Sequence, residues 1–371
     1  MSGELLKPHP VQIAPPELAC WAASPSGVAY VHERAAAQML APTLATSCAA
    51  LPPEGALSPW GGPAVNVGEA GPEVLLTALV HGNEYSGALA LDAFLRSGLQ
   101  PRRGRITAVF CNTAAFARFD LHNPDASRCV DEDFNRVWSA EWLDGPRRST
   151  ELLRAREIRP FVERATHLLD LHSMHEPCAP LLVTGLLPRN IAFAQSLATA
   201  GQVIVDAGHA DGVRMRDYGP FGDAAGSRIA LLLEAGQHWE LSSLQTARNV
   251  LMRFLVQAGA LDLGDVPPGW LLPDAAPPPP VTVTHRVVAR SMDFAFVQDF
   301  RGGEIIPRAG TPIAHDAGEP VLTPYDDCVL VMPSVRQLRP GVTTVRLGRR
   351  LRDESGDEEQ YCLCVTLYPI A

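Results

Sequence analysis

The feature that most constrains the fold is a series of short apolar runs that alternate with helical segments between residues 74 and 258. The runs are Val74–Val80, Ile106–Cys111, Leu168–Leu171, Leu181–Thr184, Val203–Val205 and Ile229–Leu233. Helical patterns occur at Ser86–Leu95, Arg147–Arg164, Ile191–Ala200 and Leu244–Ala258. Strands without a polar face must be covered on both sides. The pattern therefore predicts an α/β fold, with helices on both faces of a sheet.

Histidine and glutamate residues follow three of these predicted strands. His81 and Glu84 follow the first run, His172 follows the third, and Glu234 follows the sixth. Ligand sites of open α/β sheets lie at the carboxyl ends of strands, so we expect these side chains to converge. Two histidines and a glutamate are a ligand set of zinc hydrolases, which keep a further position open for a water whose pKa falls to about 7. Glu234 is placed to move the proton of that water to a leaving nitrogen.

Each feature has another explanation when it is taken alone. A His-x-x-Glu motif arises often by chance, and Asp170 and His172 could form a buried hydrogen-bonded pair. Glu234 could be a strand-end carboxylate that meets an arginine. The segment 123–136 (NPDASRCVDEDFNR) is either a solvated loop or a clamp, in which arginine holds a carboxylate through two hydrogen bonds. The shared position of the His and Glu residues at strand ends favours a common site.

Together these motifs resemble the succinylglutamate desuccinylase/aspartoacylase family of zinc carboxypeptidase-like hydrolases. The motifs are, in chain order, His81-Gly82-Asn83-Glu84, Arg128-x-x-Asp131-x-Asp133-Phe134-Asn135-Arg136, Asp170-Leu171-His172 and Glu234. The resemblance covers about residues 70 to 240 and continues into the C-terminal region. It implies a mixed sheet flanked by helices, as in the zinc carboxypeptidases.

The resemblance also implies the metal centre and its chemistry. His81, Glu84 and His172 would bind one zinc ion per chain, and Glu234 would be the general base and then the general acid. Asp170 lies two residues before His172, on the same side of the strand. It would either support that ligand or make a structural hydrogen bond.

The substrate contacts implied by the resemblance lie mainly in segment 123–136. Arg128 would polarise the scissile carbonyl and stabilise the oxyanion, and Asn135 and Arg136 would hold a substrate carboxylate. The chain departs from the family at Cys129, where relatives commonly carry tyrosine, and in the segments 173–185 and 206–221, which leaves the acyl group open. Those divergent segments and the residues after Glu234 hold side chains that would either contact the substrate or lie in surface loops: Arg214, Arg216, Tyr218, His175, His209 and His238.

Composition shifts divide the chain into two predicted domains. Residues 1–262 would form the zinc hydrolase domain, with residues 1–70 as an irregular N-terminal segment, and residues 263–280 would form a proline-rich linker. Residues 281–371 would form a small all-β domain. Its predicted strands are Val281–Ala289, Phe294–Gln298, Pro312–Ala314, Cys328–Met332, Thr343–Leu347 and Tyr361–Leu367.

Composition also excludes several classes of function. The net charge of −10, from 31 basic and 41 acidic residues, argues against a nucleic-acid partner. Lys7 is the only lysine, so no Schiff-base or P-loop lysine is available within the fold. The eight cysteines show no Cys-x-x-Cys or zinc-finger spacing. We find neither a signal peptide nor an 18-residue apolar run, and therefore expect a cytoplasmic protein without membrane association.

These observations predict a zinc-dependent amidohydrolase, a deacylase that cleaves the amide bond of a small anionic N-acyl amino acid. Whether it forms a homo-oligomer is left open. One alternative is a zinc carboxypeptidase acting on short peptides, since Asn135 and Arg136 would hold a C-terminal carboxylate equally well. The other is a non-catalytic binding homologue. The loop after His172 and the C-terminal β region could roof the pocket and exclude long chains, which would separate the two enzymes.

Overall fold

The computed structural model describes residues 9–36, 71–208 and 211–351, which form an α/β fold around one large mixed sheet. The strands of the first half are β1 (Val31–Ala35), β2 (Glu73–Ala78), β3 (Arg105–Phe110), β4 (His167–Met174), β5 (Leu181–Val183), β6 (Gln202–Val205) and β7 (Ile229–Gln237). Those of the C-terminal region are β8 (Val281–Val288), β9 (Ala295–Phe296), β10 (Ile305–Ile306), β11 (Pro312–Asp316), β12 (Glu319–Leu322), β13 (Cys328–Val331) and β14 (Thr343–Arg350). The α-helices are α1 (Ser86–Arg96), α2 (Thr113–Phe116), α3 (Ala140–Asp144), α4 (Thr150–Arg164), α5 (Pro188–Ser196) and α6 (Leu241–Gln257). The predicted α/β class and mixed sheet are confirmed.

The centre of the sheet is parallel and buried on both faces. Strands β3, β2, β4 and β7 are adjacent and parallel, whereas β1 and β5 pair antiparallel to β3 and β7. Successive side chains point to opposite faces. Leu76 packs in the cluster that contains α1 and α6, and Leu75 packs in the cluster that contains α4. This is why the central strands read as continuous apolar runs in the sequence.

The C-terminal strands extend the same sheet. Ile204 of β6 pairs in parallel with Val281 of β8, and the order continues through β14, β13 and β10. A second sheet contains β12, β11 and β9. The division into residues 1–262, 263–280 and 281–371 stays a prediction. Within the described ranges, no helix has the length and apolar character to cross a membrane.

Several strands differ from their predicted bounds. β4 and β7 continue to Met174 and Gln237, so His172 and Glu234 lie inside their strands. Val31–Ala35 was expected to be irregular, but it forms β1 because the open edge of β3 is available to it. The sequence pattern also missed β10 and β12. Residues 1–8 and 37–70, and the strand predicted at Tyr361–Leu367, lie outside the described residues.

Candidate active site

Three side chains converge beyond the carboxyl ends of β2 and β4. His81 and Glu84 lie in the turn after β2, and His172 lies near the end of β4, which pairs in parallel with β2. The Nδ1 atom of His81 is 2.7 Å from Oε1 of Glu84, and Nδ1 of His172 is 2.9 Å from Oε2 of Glu84. One ligand atom from each residue lies within 4.8 Å of the others, and all three residues are buried. The structure therefore brings the predicted ligand set together.

Glycine is required in the turn between two of these residues. A Cβ atom on Gly82 would lie 2.3 Å from the carbonyl oxygen of Ser127 and 2.5 Å from the amide nitrogen of Phe116. The amide of Gly82 also donates to the carbonyl oxygen of Arg128. The turn that carries His81 and Glu84 can therefore pack directly against the segment that carries Arg128.

The second nitrogen of each histidine faces a carboxylate. Nε2 of His172 lies 2.8 Å from Oδ2 of Asp170, whose Oδ1 accepts a hydrogen bond from Oγ1 of Thr77. Nε2 of His81 lies 3.0 Å from Oδ1 of Asp133. Such carboxylates orient a ligating imidazole and raise its basicity. The structure thus places Asp170 against His172 as predicted, and adds Asp133, to which the sequence analysis gave no role.

The charges in this cluster are strongly coupled. Burial disfavours ionisation of Glu84, but His81 and His172 outweigh it and hold the pKa of Glu84 well below its usual range. Burial also opposes protonation of His172, but Asp170 and Glu84 raise its pKa well above the usual value. Without a cation, protonation of His172 offsets part of the charge of the buried carboxylates. A divalent cation would supply the same charge.

Glu234 lies beside the ligand cluster, in register with His172 across β7 and β4. Its Oε2 atom is buried, and among the described residues it has no hydrogen-bond partner. Burial, assisted by the charge of Glu84, raises the pKa of Glu234 to about 8. A carboxyl group with this pKa and an unused oxygen can take up and release a proton near neutral pH.

The segment after helix α2 contributes three predicted substrate-binding residues. Arg128 donates to Oε1 of Glu84 at 2.9 Å and to Oδ2 of Asp133 at 3.3 Å. Asn135 places Nδ2 3.4 Å from Nε2 of His172, and its Oδ1 accepts from the amide of Met215. Arg136 donates to the carbonyl oxygen of Asn135, and its nearest carboxylate oxygen, on Asp133, is 3.9 Å away. Its guanidinium group lacks a close carboxylate partner in the described residues and lines the cavity.

This segment is held by Glu151 of α4, which the sequence analysis missed. The carboxylate of Glu151 is fully buried. Its Oε1 accepts from the amide of Val130 and from Nδ2 of Asn112, and its Oε2 accepts from the amides of Asp131 and Glu132. A signal was present, because Glu151 shares the apolar face of an amphipathic helix. The other residues of that face are Ala155, Ile158 and Val162.

A cavity of about 910 Å³ adjoins these groups. Arg128, Asn135, Arg136, Arg214 and Glu234 all line it. Residues between 331 and 346 of the C-terminal region, from β13, β14 and the loop between them, also line it. That they roof the site stays a prediction.

Two predicted substrate contacts need correction, because Arg216 and Tyr218 do not line the cavity. Arg216 is buried, where it donates to the carbonyl oxygen of Thr184 and pairs with Asp217 at 2.8 Å. Burial lowers its pKa to about 10. The hydroxyl of Tyr218 donates to Glu163 on α4. A 3₁₀ turn at Met215–Asp217 directs these side chains away from Arg214, which the spacing alone could not show.

The three additional histidines fall into different places. His175 lines the cavity and lies 3.4 Å from Asp125. His238 is buried, with Nδ1 2.8 Å from Oγ of Ser173 and Nε2 3.3 Å from Nδ1 of His175. His209 lies outside the described residues.

Asp206 and Arg346 also line the cavity and were missed. Nε of Arg346 lies 3.3 Å from Oδ2 of Asp206, and NH1 of Arg214 lies 3.6 Å from the same oxygen. Arg346 reaches the site from β14, which is separated from Asp206 by 140 residues of sequence. No local motif could have indicated that contact.

Comparison with known proteins agrees with this geometry. Residues 70–225 match the family model described as the succinylglutamate desuccinylase/aspartoacylase catalytic domain. The succinylglutamate desuccinylase of Vibrio parahaemolyticus superposes with a TM-score of 0.55 at 17% identity, covering 77% of this chain and 84% of that chain. For a succinylglutamate desuccinylase/aspartoacylase from Rhodobacter sphaeroides the TM-score is 0.56 at 18% identity, covering 76% and 87%.

The fold also extends to a mammalian relative. Murine aminoacylase 3 superposes with a TM-score of 0.52 at 19% identity, covering 76% of this chain and 96% of that chain. At these identities the superpositions show the shared fold alone. No curated protein matches the chain in sequence. The resemblance inferred from the motifs is confirmed for the family's catalytic domain and fold.

Proposed function

We propose that this chain, in which residues 70–225 match the succinylglutamate desuccinylase/aspartoacylase catalytic domain, is a zinc-dependent amidohydrolase. Its substrate would be a small anionic N-acyl amino acid, whose amide bond it cleaves. The observation that carries the proposal is the convergence of His81, Glu84 and His172 beside Glu234, a partly buried residue whose Oε2 atom is buried and has no hydrogen-bond partner among the described residues. A cytoplasmic location stays a prediction, and whether the chain forms a homo-oligomer stays open.

The three side chains fit a zinc site in the chemical type of their donor atoms and in the carboxylates that orient the two imidazoles. Two imidazole nitrogens and one carboxylate lie within 4.8 Å of one another, which matches a three-ligand catalytic site. Both imidazoles have a carboxylate at the other nitrogen, as ligating histidines commonly do. A zinc ion held there supplies a Lewis acid and lowers the pKa of water.

Proton transfer falls to Glu234. It accepts a proton from the attacking water and donates it to the nitrogen of the leaving amine. Burial raises the pKa of Glu234 to about 8 in the metal-free protein, and a nearby cation would lower this pKa toward neutrality, where one carboxyl group can perform both transfers.

The arginines of segment 128–136 bind and stabilise negative charge. Arg128 lies against Glu84 and the cavity, where it donates to the carbonyl oxygen as negative charge develops. Arg136, together with Asn135, holds the carboxylate of the amino acid. Burial lowers the pKa of Arg136, and the nearby Arg128, Arg346 and Arg214 lower it further, so an incoming carboxylate relieves repulsion there.

A carboxypeptidase acting on short peptides is the second candidate. The same ligand cluster and Arg136 would serve it. The cavity lining contributed by residues between 331 and 346 supports the small-substrate enzyme, because these side chains add to the enclosure of the cavity. A non-catalytic binding protein is disfavoured by the presence of all three ligands and the acid–base carboxylate.

The proposal is tested with the Glu234→Gln variant and a panel of N-acetyl, N-succinyl and N-formyl amino acids, assayed with and without chelator. We expect the variant to retain zinc by metal analysis and to lose turnover by on the order of 10²–10⁴-fold, because glutamine cannot carry the proton. Glu319→Gln, on the exposed strand β12, is the matched control and should remain active. Undiminished turnover in Glu234→Gln would refute the mechanism. Hydrolysis of peptides alone would favour the carboxypeptidase.

A further inference from the structure

One wall of the cavity is aliphatic and lies beside Glu234. Five buried members of a single apolar cluster line it: Met174, Val183, Ile204, Leu232 and Val331. Cys178 and Met332, which are partly buried members of the same cluster, line it as well. None of these side chains takes part in the proposed catalytic steps.

The sheet register arranges three of these side chains in a row. Leu232 of β7 pairs with Val183 of β5, and Val183 pairs with Ile204 of β6. Residues paired directly across strands point to the same face of the sheet. Leu232 lies two residues before Glu234 on β7, so the row begins next to the acid–base carboxylate. Adjacent strands are about 4.8 Å apart, and the row therefore spans about 10 Å.

A charged cluster lies beside the Ile204 end of the row. Asp206 lies two residues after Ile204 and faces both Arg214 and Arg346, at 3.6 and 3.3 Å. Arg214 also pairs with Asp217 at 2.6 Å. The next residue in register, Val281 of β8, does not line the cavity, so the row along the cavity ends at Ile204. At roughly 1.25 Å per carbon, from carbon–carbon bonds of about 1.5 Å, it accommodates a chain of about six to eight carbons.

The size of the cavity agrees with an occupant larger than a short acyl amino acid. Its volume of about 910 Å³ is near the upper end of the range for pockets that hold drug-sized ligands, roughly 300–1,000 Å³. A substrate with only an acetyl group and a small polar side chain would leave part of this volume unfilled beside the Leu232–Val183–Ile204 row. Burying a methylene on such a row strengthens binding by about fourfold.

We propose that one arm of the substrate is a medium-length aliphatic chain, which lies along the row formed by Leu232, Val183 and Ile204. This inference rests on the proposed function and specifies the substrate of the same site. The chain belongs either to the acyl group or to the side chain of the amino acid. Both sources share the chemistry that the wall recognises, and two substrate series distinguish them.

The first experiment measures kcat/KM of the zinc-loaded protein along both series. One series is N-acetyl, N-butanoyl, N-hexanoyl and N-octanoyl derivatives of one amino acid. The other is N-acetyl derivatives of alanine, norvaline, norleucine and 2-aminooctanoic acid. We expect kcat/KM to rise about fourfold per carbon in one series until the row is filled. The other series should stay flat.

The second experiment uses a matched pair of variants. Val183→Thr places a hydroxyl in the middle of the row, whereas Val329→Thr places one in the same apolar cluster but outside the cavity. The ratio of kcat/KM between the longest and shortest effective substrates should fall at least fivefold in Val183→Thr and remain unchanged in Val329→Thr. Because the ratio is taken within each protein, it does not depend on the fraction that folds.

Calorimetric titration of the same amides into the Glu234→Gln protein measures the gain in binding affinity per carbon in the absence of turnover. Affinity that rises with chain length supports the aliphatic arm, even if no amide of the panel is hydrolysed and the proposed function fails. Flat affinities and flat kcat/KM in both series would overturn the aliphatic arm. Efficient hydrolysis of the short substrates in that case would leave the amidohydrolase proposal standing.

Discussion

Replacing Glu151 by alanine should loosen the segment that carries Arg128, Asn135 and Arg136 while leaving the metal ligands in place. Glu151 is fully buried and accepts hydrogen bonds from three consecutive backbone amides and from Asn112. A buried donor left without an acceptor costs about 1–3 kcal/mol. Some of the four donors would reach water once the segment relaxes. We therefore expect the free energy of unfolding to fall by about 3–5 kcal/mol.

The Glu151→Gln variant tests this reasoning more finely. The two oxygens of Glu151 serve separate donors, Oε1 those of Val130 and Asn112, and Oε2 those of Asp131 and Glu132. An amide has one oxygen, so one of these pairs would face an NH₂ group. Urea unfolding should place this variant between wild type and Glu151→Ala. Glu157→Gln, on the exposed side of the same helix, should unfold like wild type.

Kinetics and metal binding separate positioning from a general loss of stability. Under conditions in which all variants are folded, Glu151→Ala should lose activity at least tenfold while its zinc affinity, measured by chelator competition, changes little. The reason is that Glu151 contacts the segment and not the ligand turn. A buried donor without an acceptor costs at least about 1 kcal/mol. If the free energy of unfolding of Glu151→Ala lies within about 1 kcal/mol of wild type, the hydrogen bonds to Glu151 do not hold the segment in place.

Two further predictions concern the anion site and the acid–base carboxylate. A Cβ on Gly212 would lie 2.3 Å from the carbonyl oxygen of Arg136, and Gly212 has a φ of +151°. Gly212→Ala should therefore raise KM about tenfold or more for a carboxylated substrate. If KM for this substrate rises less than KM for its neutral amide analogue, the role of Arg136 is contradicted. In the metal-free protein the pKa of Glu234 is raised by burial from 4.5 to about 8, so the folded state binds more protons than the unfolded state between these values and stability falls as pH rises. Wild type should lose about 4 kcal/mol relative to Glu234→Gln between pH 5 and pH 9 by urea unfolding, and parallel pH profiles would contradict this.

The convergence of the ligands could be predicted because it depends on local order and one topological rule. His81, Glu84 and His172 follow or end strands that pair in parallel, and such strands place their carboxyl ends on one edge. The position of Asp170 followed from the two-residue period of a strand. The extent of β4 and β7 could not be predicted, because polar residues near the end of a strand give no signal of where strand pairing stops. His172 and Glu234 are thus opposite each other in register, a closer relation than a shared edge.

Contacts between segments that are distant in sequence or irregular in structure could not be predicted from the sequence. Arg214 and Arg216 are both arginines in one divergent segment, and only the 3₁₀ turn that follows Arg214 sends one to the cavity and the other beneath Thr184. Arg346 meets Asp206 because β8 pairs with β6 and carries β14 beside it. That pairing joins two regions that the proline-rich segment separates in sequence, and no pattern within either region specifies it.

Part of the cavity wall lies apart from the proposed metal ligands. These ligands and Arg128 lie within residues 70–225, the part that matches the family's catalytic domain. Val331 and Arg346 lie beyond it, on β13 and β14, which extend the sheet laterally. A substitution in these lateral strands changes the wall of the cavity without moving β2 or β4, on which the ligands depend. Substrate range can therefore vary at this wall at little cost to the metal centre, and it is at this wall that a difference in substrate from other members of the fold should be sought.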